Sequence, residues 1–330
     1  MNPLKFAGFL PKLFAQALYR SAYKLHHALF LRPGKPLDHA RLIIVGSYLV
    51  GGAGKTPFCA WLAQFLNSTH AAGDATTTAT TNAAIDTAAT DAAGSTPRIA
   101  ILCHAKAQDE AKMLREKLPF VTVIATSNRY TTAHEIDSEF DYIICDDGFE
   151  DTRLTGAVTM LLDWQIPCDG IRDLIPAGPC RSLAKDHDTP TLSLRCTGDG
   201  NSSDKDIRFS IEKIVNSCGI DLRDEIANGK QALRRPILVT GLGNGNRFEN
   251  DLLSAGVAPS EKIFRRDHDS HFEKIILSVL KRGNPVVVSE KDKARLSPET
   301  AQNPQIFVAM QKTEVSRNAQ TAIGKAILRP

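Results

Sequence analysis

Apolar and polar positions alternate along this chain in two periods, and the switches between them mark out the elements. Leu42 to Val45 form a short unbroken apolar run, as in a strand buried on both faces. Gly51, Gly52 and Gly54 follow, and beyond them Phe58, Trp61, Leu62, Phe65 and Leu66 recur at helical spacing. The same rhythm predicts strands at Arg98 to Cys103, Phe120 to Ala125, Phe140 to Cys145 and Val158 to Asp163, with helices opening near Gln108 and Asn128. After a polar, glycine-containing junction at 197–206, Ile207 to Val215 alternates as a linking strand does. Further strands are expected at Ile237 to Thr240, Val286 to Ser289 and Ile306 to Ala309. Strand and helix in alternation imply an α/β fold with a mainly parallel sheet.

A length of 330 residues exceeds the usual single core, so two α/β units are expected. The reading divides the chain into an N-terminal segment 1–37, a P-loop NTPase-like nucleotide-binding domain 38–200 and a smaller α/β domain 201–330. Residues 68–97 are dominated by Ala and Thr, with Ile85 as their one large apolar residue, and are expected to form a disordered surface insertion without chemistry.

Net charge is +3, yet residues 1–41 hold seven Lys/Arg against Asp38 alone, so the basicity belongs to the N-terminus and not to the fold. That distribution gives no reason to expect a nucleic-acid partner, and no obligate protein partner is inferred. Residues 4–31 interleave Phe6, Phe9, Leu10, Leu13, Phe14, Leu18, Tyr19 and Tyr23 with four cations. Such a segment either lies in a membrane interface or packs on the domain as an ordinary surface helix. It has neither the cleavage site of a signal peptide nor the unbroken apolar run of a spanning helix. Seven cysteines without a C-x-x-C pair argue against a disulfide framework or a zinc ribbon, and point to a reducing cytoplasm.

The glycine turn between strand and helix reads as a phosphate cradle. Gly51, Gly52, Ala53 and Gly54 allow consecutive N–H groups to face phosphate oxygens at a helix start, Lys55 reaches the β/γ-phosphates, and Thr56 reaches Mg²⁺. Leu49 stands where the usual spacing asks for a glycine. Asp146 and Asp147 close a buried strand at the same sheet edge, where open parallel sheets bind ligands. Arg172 and Arg181, in a loop rich in Pro and Gly, are candidates to clamp an anion. Asp109 and Glu110 sit in a helix's first turn, where acids are often only dipole partners.

Six stretches in order resemble the tetraacyldisaccharide 4′-kinases of lipid A biosynthesis, over about residues 40 to 300. They are Val50-Gly-Gly-Ala-Gly-Lys-Thr-Pro57, Gln108-Asp-Glu110, Asp146-Asp-Gly-Phe149, Leu174-Ile-Pro-Ala-Gly-Pro-Cys-Arg181, Gly241-Leu-Gly-Asn-Gly-Asn-Arg-Phe248 and Ser289-Glu-Lys-Asp292. The resemblance implies a kinase that moves the ATP γ-phosphate to the 4′-hydroxyl of a lipid disaccharide monophosphate at the cytoplasmic face of the inner membrane. It also implies two α/β/α domains joined by a two-stranded linker, with ATP between them. Residue by residue, it implies Lys55 and Thr56 at the phosphates and Mg²⁺, and Asp146 and Asp147 near the metal. Asp109 would be the catalytic base and His268 its partner, with His271 as an alternative register. Arg129 and Arg181 would lie near the phosphates, with Glu110 beside the base.

Four positions depart from the family pattern. Gly46-Ser47 replaces its Gly-Asn, and Cys103-His-Ala-Lys-Ala107 its Arg-Gly-Tyr-Gly. Glu150 replaces a glutamine, and Ser182 a glutamate. Two other classes therefore stay open on sequence alone: a catalytically silent paralogue that binds lipid or nucleotide, and a soluble P-loop NTPase of chaperone type.

Overall fold

The computed structural model describes residues 9–76, 96–198, 205–229, 235–266 and 269–328. The first half runs α1 (Phe9–Phe30), β1 (Arg41–Gly46), α2 (Lys55–Thr76), β2 (Ile99–His104), α3 (Gln108–Lys117), β3 (Thr122–Thr126), α4 (Arg129–Glu135), β4 (Tyr142–Asp146), β5 (Val158–Asp163) and β6 (Leu192–Thr197). The second continues β7 (Ile207–Val215), α5 (Leu222–Ala227), β8 (Ile237–Thr240), α6 (Gly245–Ser254), β9 (Glu261–Phe264), α7 (Phe272–Leu280), β10 (Val286–Ser289), α8 (Glu290–Ala294), α9 (Pro298–Ala301), β11 (Ile306–Val315) and α10 (Arg317–Ile327).

Among the described residues the strands form one eleven-stranded order, β3-β2-β4-β1-β5-β6-β7-β11-β10-β8-β9. Neighbours pair in parallel throughout except β7 and β11, which pair antiparallel along most of their length. The α/β, mainly parallel architecture thus matches the pattern of apolar runs. The register places Val45 beside Asp146 and Gly46 beside Leu161, so the glycine loop after β1 and the acid pair after β4 leave the same edge.

Both faces of this sheet are covered, which is why its strands read as continuous apolar runs. Ile43, Val45, Ile99, Ile101 and Ile144 pack against Phe58, Leu62 and Leu66 of α2. The alternate positions Leu42, Ile44, Ala100, Leu102 and Ile143 face Ala133 of α4. Beyond β11, Ile237, Val239, Val286 and Val288 cover one side with α7, while Leu238, Val287 and Phe307 meet Phe248 and Leu252 of α6 on the other.

Three expectations need correction. α2 runs to Thr76, so residues 68–76 are helical and not part of an irregular insertion, while 77–95 lie outside the described residues. Ala319, Ile323 and Ile327 of α10 join the core of the first half, so the C-terminal residues placed with the second domain pack back on the first. Cys168 and Cys180 form a disulfide, their Cα atoms 5.9 Å apart where the loop after β5 folds back on itself. The lack of a C-x-x-C pair did not exclude a bridge between cysteines twelve residues apart, and the inference of a reducing compartment loses its support.

The helix α1 docks through polar side chains. Buried Gln16 donates to the carbonyls of Arg172 and Leu174, Tyr19 to that of Arg181, and Arg20 pairs with Asp186 at 2.9 Å. Its other side presents Phe14, Leu18, Leu25 and Leu29, between 57% and 73% exposed. No helix of the described residues is long and apolar enough to cross a membrane.

Candidate active site

The backbone of the loop between β1 and α2 explains its glycines. Gly51, Gly52 and Gly54 have φ of 64°, 63° and 77°, a conformation costly for other residues. Leu49 needs no such freedom, since it is not among the residues of positive φ and pairs in extended form with Cys180. Val50 N–H donates to Pro179 O and Arg181 N–H to Tyr48 O, stitching the Pro- and Gly-rich loop to the approach of the phosphate loop. Lys55 and Thr56 open α2, with the N-terminal end of the helix behind the cradle.

Thr56 Oγ1 donates to Asp146 Oδ2 at 2.6 Å. Lys55 Nζ lies 3.4 Å from Asp147 Oδ1, and Arg181 Nη1 donates to Asp147 Oδ2 at 2.9 Å. Asp147 has φ of 57°, the strained turn that carries its carboxylate toward these two cations. The adjacent acids are tuned apart. Burial, and then the charge of Glu110, push Asp146 up to about 7. Burial also acts to raise Asp147, but Lys55 and Arg181 outweigh it and hold that carboxyl below its ordinary value.

A cleft of about 430 Å³ contains most of the expected residues. Gly51, Gly52, Ala53, Gly54, Lys55, Thr56, Glu110, Asp146, Asp147 and Arg181 line it on one side. Ile211, Leu242, Asn244, Arg247, Phe248 and Lys291 contribute from the second half. Its polar end carries charge for phosphates, and its apolar side chains suit a flat ring.

Arg129 and Asp109 stand just outside that lining. Arg129 Nη2 donates to the backbone oxygen of Asp146 at 2.8 Å, so it holds the acid loop in place. Asp109 is buried in the first turn of α3, where Arg295 Nε donates to its Oδ2 at 2.7 Å and Lys291 Nζ approaches to 4.0 Å. A mere dipole partner would not be buried against two cations. His268, the expected partner, lies outside the described residues, and exposed His271 pairs with Asp269 instead.

Residues that sequence reading left without a role fall into two groups. Asp292 is fully buried and accepts from Thr240 Oγ1, Gly241 N and Ser289 Oγ, so the Ser289-Glu-Lys-Asp292 stretch fastens two loops at the cleft. Arg295 and Trp164 come from distant segments that no spacing in the sequence links to the glycine loop, while Arg247 and Lys291 lie in stretches that carried the resemblance without a role of their own. Glu150 and Ser182, read as separate departures, touch: Ser182 Oγ donates to Glu150 Oε1 at 2.8 Å.

The oxygen donors fit a hard divalent cation. Oδ1 of Asp146 is buried without a hydrogen-bond partner among the described residues, its other oxygen bound by the Thr56 hydroxyl, and Oδ1 of Asp147 meets the Lys55 ammonium at 3.4 Å. No cluster of three or more His, Cys, Asp or Glu exists among the described residues. Mg²⁺ does not require one, because it keeps waters and takes phosphate oxygens beside one or two carboxylates.

Comparison with known proteins points to one family. The family profile described as tetraacyldisaccharide-1-P 4′-kinase matches residues 12–328. A tetraacyldisaccharide 4′-kinase from Nitrobacter winogradskyi is 28% identical over 277 residues, covering 81% of this chain and 76% of the relative. One from Pseudomonas entomophila is 27% identical over 300 residues, covering 87% and 83%. In fold, the chain resembles a crystal structure of LpxK from Aquifex aeolicus in complex with ATP, at a TM-score of 0.59 and 20% identity, over 97% of this chain and 99% of that one. With a match spanning nearly its whole length, the chain belongs to the tetraacyldisaccharide-1-P 4′-kinase family.

Proposed function

We propose that this protein transfers the γ-phosphate of ATP to the 4′-hydroxyl of a tetraacyldisaccharide 1-phosphate in lipid A biosynthesis. The observation that carries the reading is family membership over residues 12–328. A cleft in which cradle, cations and acids meet supports it.

In phosphoryl transfer the protein chiefly positions the reactants and neutralises charge. N–H groups of residues 51–56 receive the phosphates, and Lys55 and Arg181 face the charge that develops on them. Thr56, Asp146 and Asp147 would hold Mg²⁺, which would offset the negative charge of the phosphates. Binding ATP would then draw Lys55 and Arg181 from Asp147 toward the nucleotide. Asp109 takes the proton of the acceptor hydroxyl, and Arg295 orients its carboxylate. The two halves, with α10 packed back on the first, act as two domains that meet across the nucleotide, held by Glu110–Lys291 at 2.7 Å and Lys117–Glu290 at 3.1 Å. The exposed apolar side of α1 rests in the cytoplasmic leaflet of the inner membrane, from which the lipid substrate is taken.

Incubation of purified protein with γ-labelled ATP, Mg²⁺ and detergent-dispersed disaccharide 1-phosphate tests the reading. Label in the lipid is expected. Nucleotide binding without turnover would favour a silent paralogue, and hydrolysis indifferent to lipid would favour an NTPase of another kind.

A further inference from the structure

Two carbonyl oxygens of the phosphate loop are held by side chains that no phosphate-loop motif contains. Gly52 O accepts from Arg247 Nη1, and Ala53 O accepts from Trp164 Nε1 at 3.0 Å. The guanidinium of Arg247 lies over the Trp164 ring, 4.1 Å from its centroid, and 5.3 Å from that of Phe209. The two rings stack on each other at 5.7 Å and 18°. Gly54 lies against this stack so closely that a Cβ there would stand 2.5 Å from Phe209. Trp164 follows β5, Phe209 belongs to β7, and Arg247 sits in the first turn of α6, its N–H capped by Asn244 at 3.0 Å.

A trans peptide is planar, with its C=O and N–H on opposite sides. Fixing the oxygens of Gly52 and Ala53 toward the stack therefore turns the N–H groups of Ala53 and Gly54 the other way. Those are the donors an anion cradle needs. An aromatic face and a half-buried arginine suit the task, since the stacked guanidinium keeps its planar donors aimed at one point.

We propose that Arg247 and Trp164 are positioning residues for phosphate binding, acting on the anion through the backbone of residues 52–54 and not by touching it. The claim rests on the reading of this loop as the ATP cradle. Because Arg247 also borders the cleft, direct contact with phosphate is the rival account.

Calorimetric titration of the full-length chain with ATP, inorganic triphosphate and adenosine separates them, using wild type, Trp164→Phe, Arg247→Lys and Arg247→Ala. Trp164→Phe keeps a stacking ring and removes only the N–H. Losing one such hydrogen bond should weaken ATP and triphosphate about fivefold, with adenosine affinity and Tm unchanged. Arg247→Ala should weaken the two phosphate ligands about tenfold or more, and Arg247→Lys should recover part of that loss. Wild-type affinity for phosphates in Trp164→Phe, with loss only in the Arg247 variants, overturns the proposal in favour of direct contact. So does a loss shared equally by adenosine. Should Arg247→Ala fail to fold, Trp164→Phe decides alone. A wild-type protein that binds neither ATP nor triphosphate would count against the cradle reading itself, which is a different failure.

Discussion

Neighbouring acids in this chain do unrelated work, and burial and partners tell them apart. Asp137 accepts from the N–H groups of Asp38, His39 and Ala40, at 2.7 to 3.2 Å, and so fastens the approach to β1. Burial acts to raise its carboxyl, but those N–H groups overcome it and hold the group below its ordinary value. Its stabilising contribution is therefore full above the unfolded carboxylate range, around pH 4, and is lost as pH falls through the lower folded value. Asp137→Ala should cost about 1–3 kcal/mol in urea unfolding at pH 7 and leave ATP affinity unchanged. That cost should shrink in acid, and a cost that instead grew in acid would reject the account. Asp109→Asn should behave in the opposite way, with ATP affinity near wild type and turnover down roughly 10²–10⁴. Full turnover would remove Asp109 as the base. The resemblance singled out Asp109 but not Arg295, because 186 residues separate two groups that only the fold brings together.

At the scale of elements, strand and helix identity followed from apolar periodicity and boundaries did not. β11 runs to Val315, beyond the apolar Ile306 to Ala309, because its polar continuation pairs antiparallel with β7 and not with a buried neighbour. β6 escaped notice for a related reason: Leu192-Ser-Leu-Arg-Cys-Thr alternates weakly, and only Leu194 and Cys196 are deeply buried. The sequence left α1 between two roles, and the structure gives it both a docked polar side and an exposed apolar one. Leu18→Asp with Leu25→Asp changes only the exposed side. Flotation with anionic lipid vesicles should show most binding lost, while Tm and ATP affinity stay as in wild type. Undiminished vesicle binding would refute the interfacial role.

Across the whole molecule, charges on α3 and α8 join the halves. Asp109–Arg295, Glu110–Lys291 and Lys117–Glu290 lie between segments that the sequence assigns to different domains. Arg295→Met should destabilise by about 3 kcal/mol, because it leaves the Asp109 carboxylate buried with less compensation. Adding Asp109→Asn should recover much of that stability without restoring turnover, separating the structural role of the pair from its chemistry. A double variant as unstable as Arg295→Met alone would show that the pair is not the source of the cost. The order of strands and the reach of α10 back to the first core depend on long-range packing, which local patterns do not encode.

We propose that the cleft between the halves phosphorylates a lipid hydroxyl. Single-turnover mixing of γ-labelled ATP, Mg²⁺ and tetraacyldisaccharide 1-phosphate, with the product located by mass spectrometry, tests it most directly for wild type beside Lys55→Ala. The account predicts one added phosphate on the 4′-oxygen for wild type, and loss of that product in Lys55→Ala at unchanged Tm. Equal product from Lys55→Ala, or ATP consumed by wild type with the lipid unmodified, would contradict it.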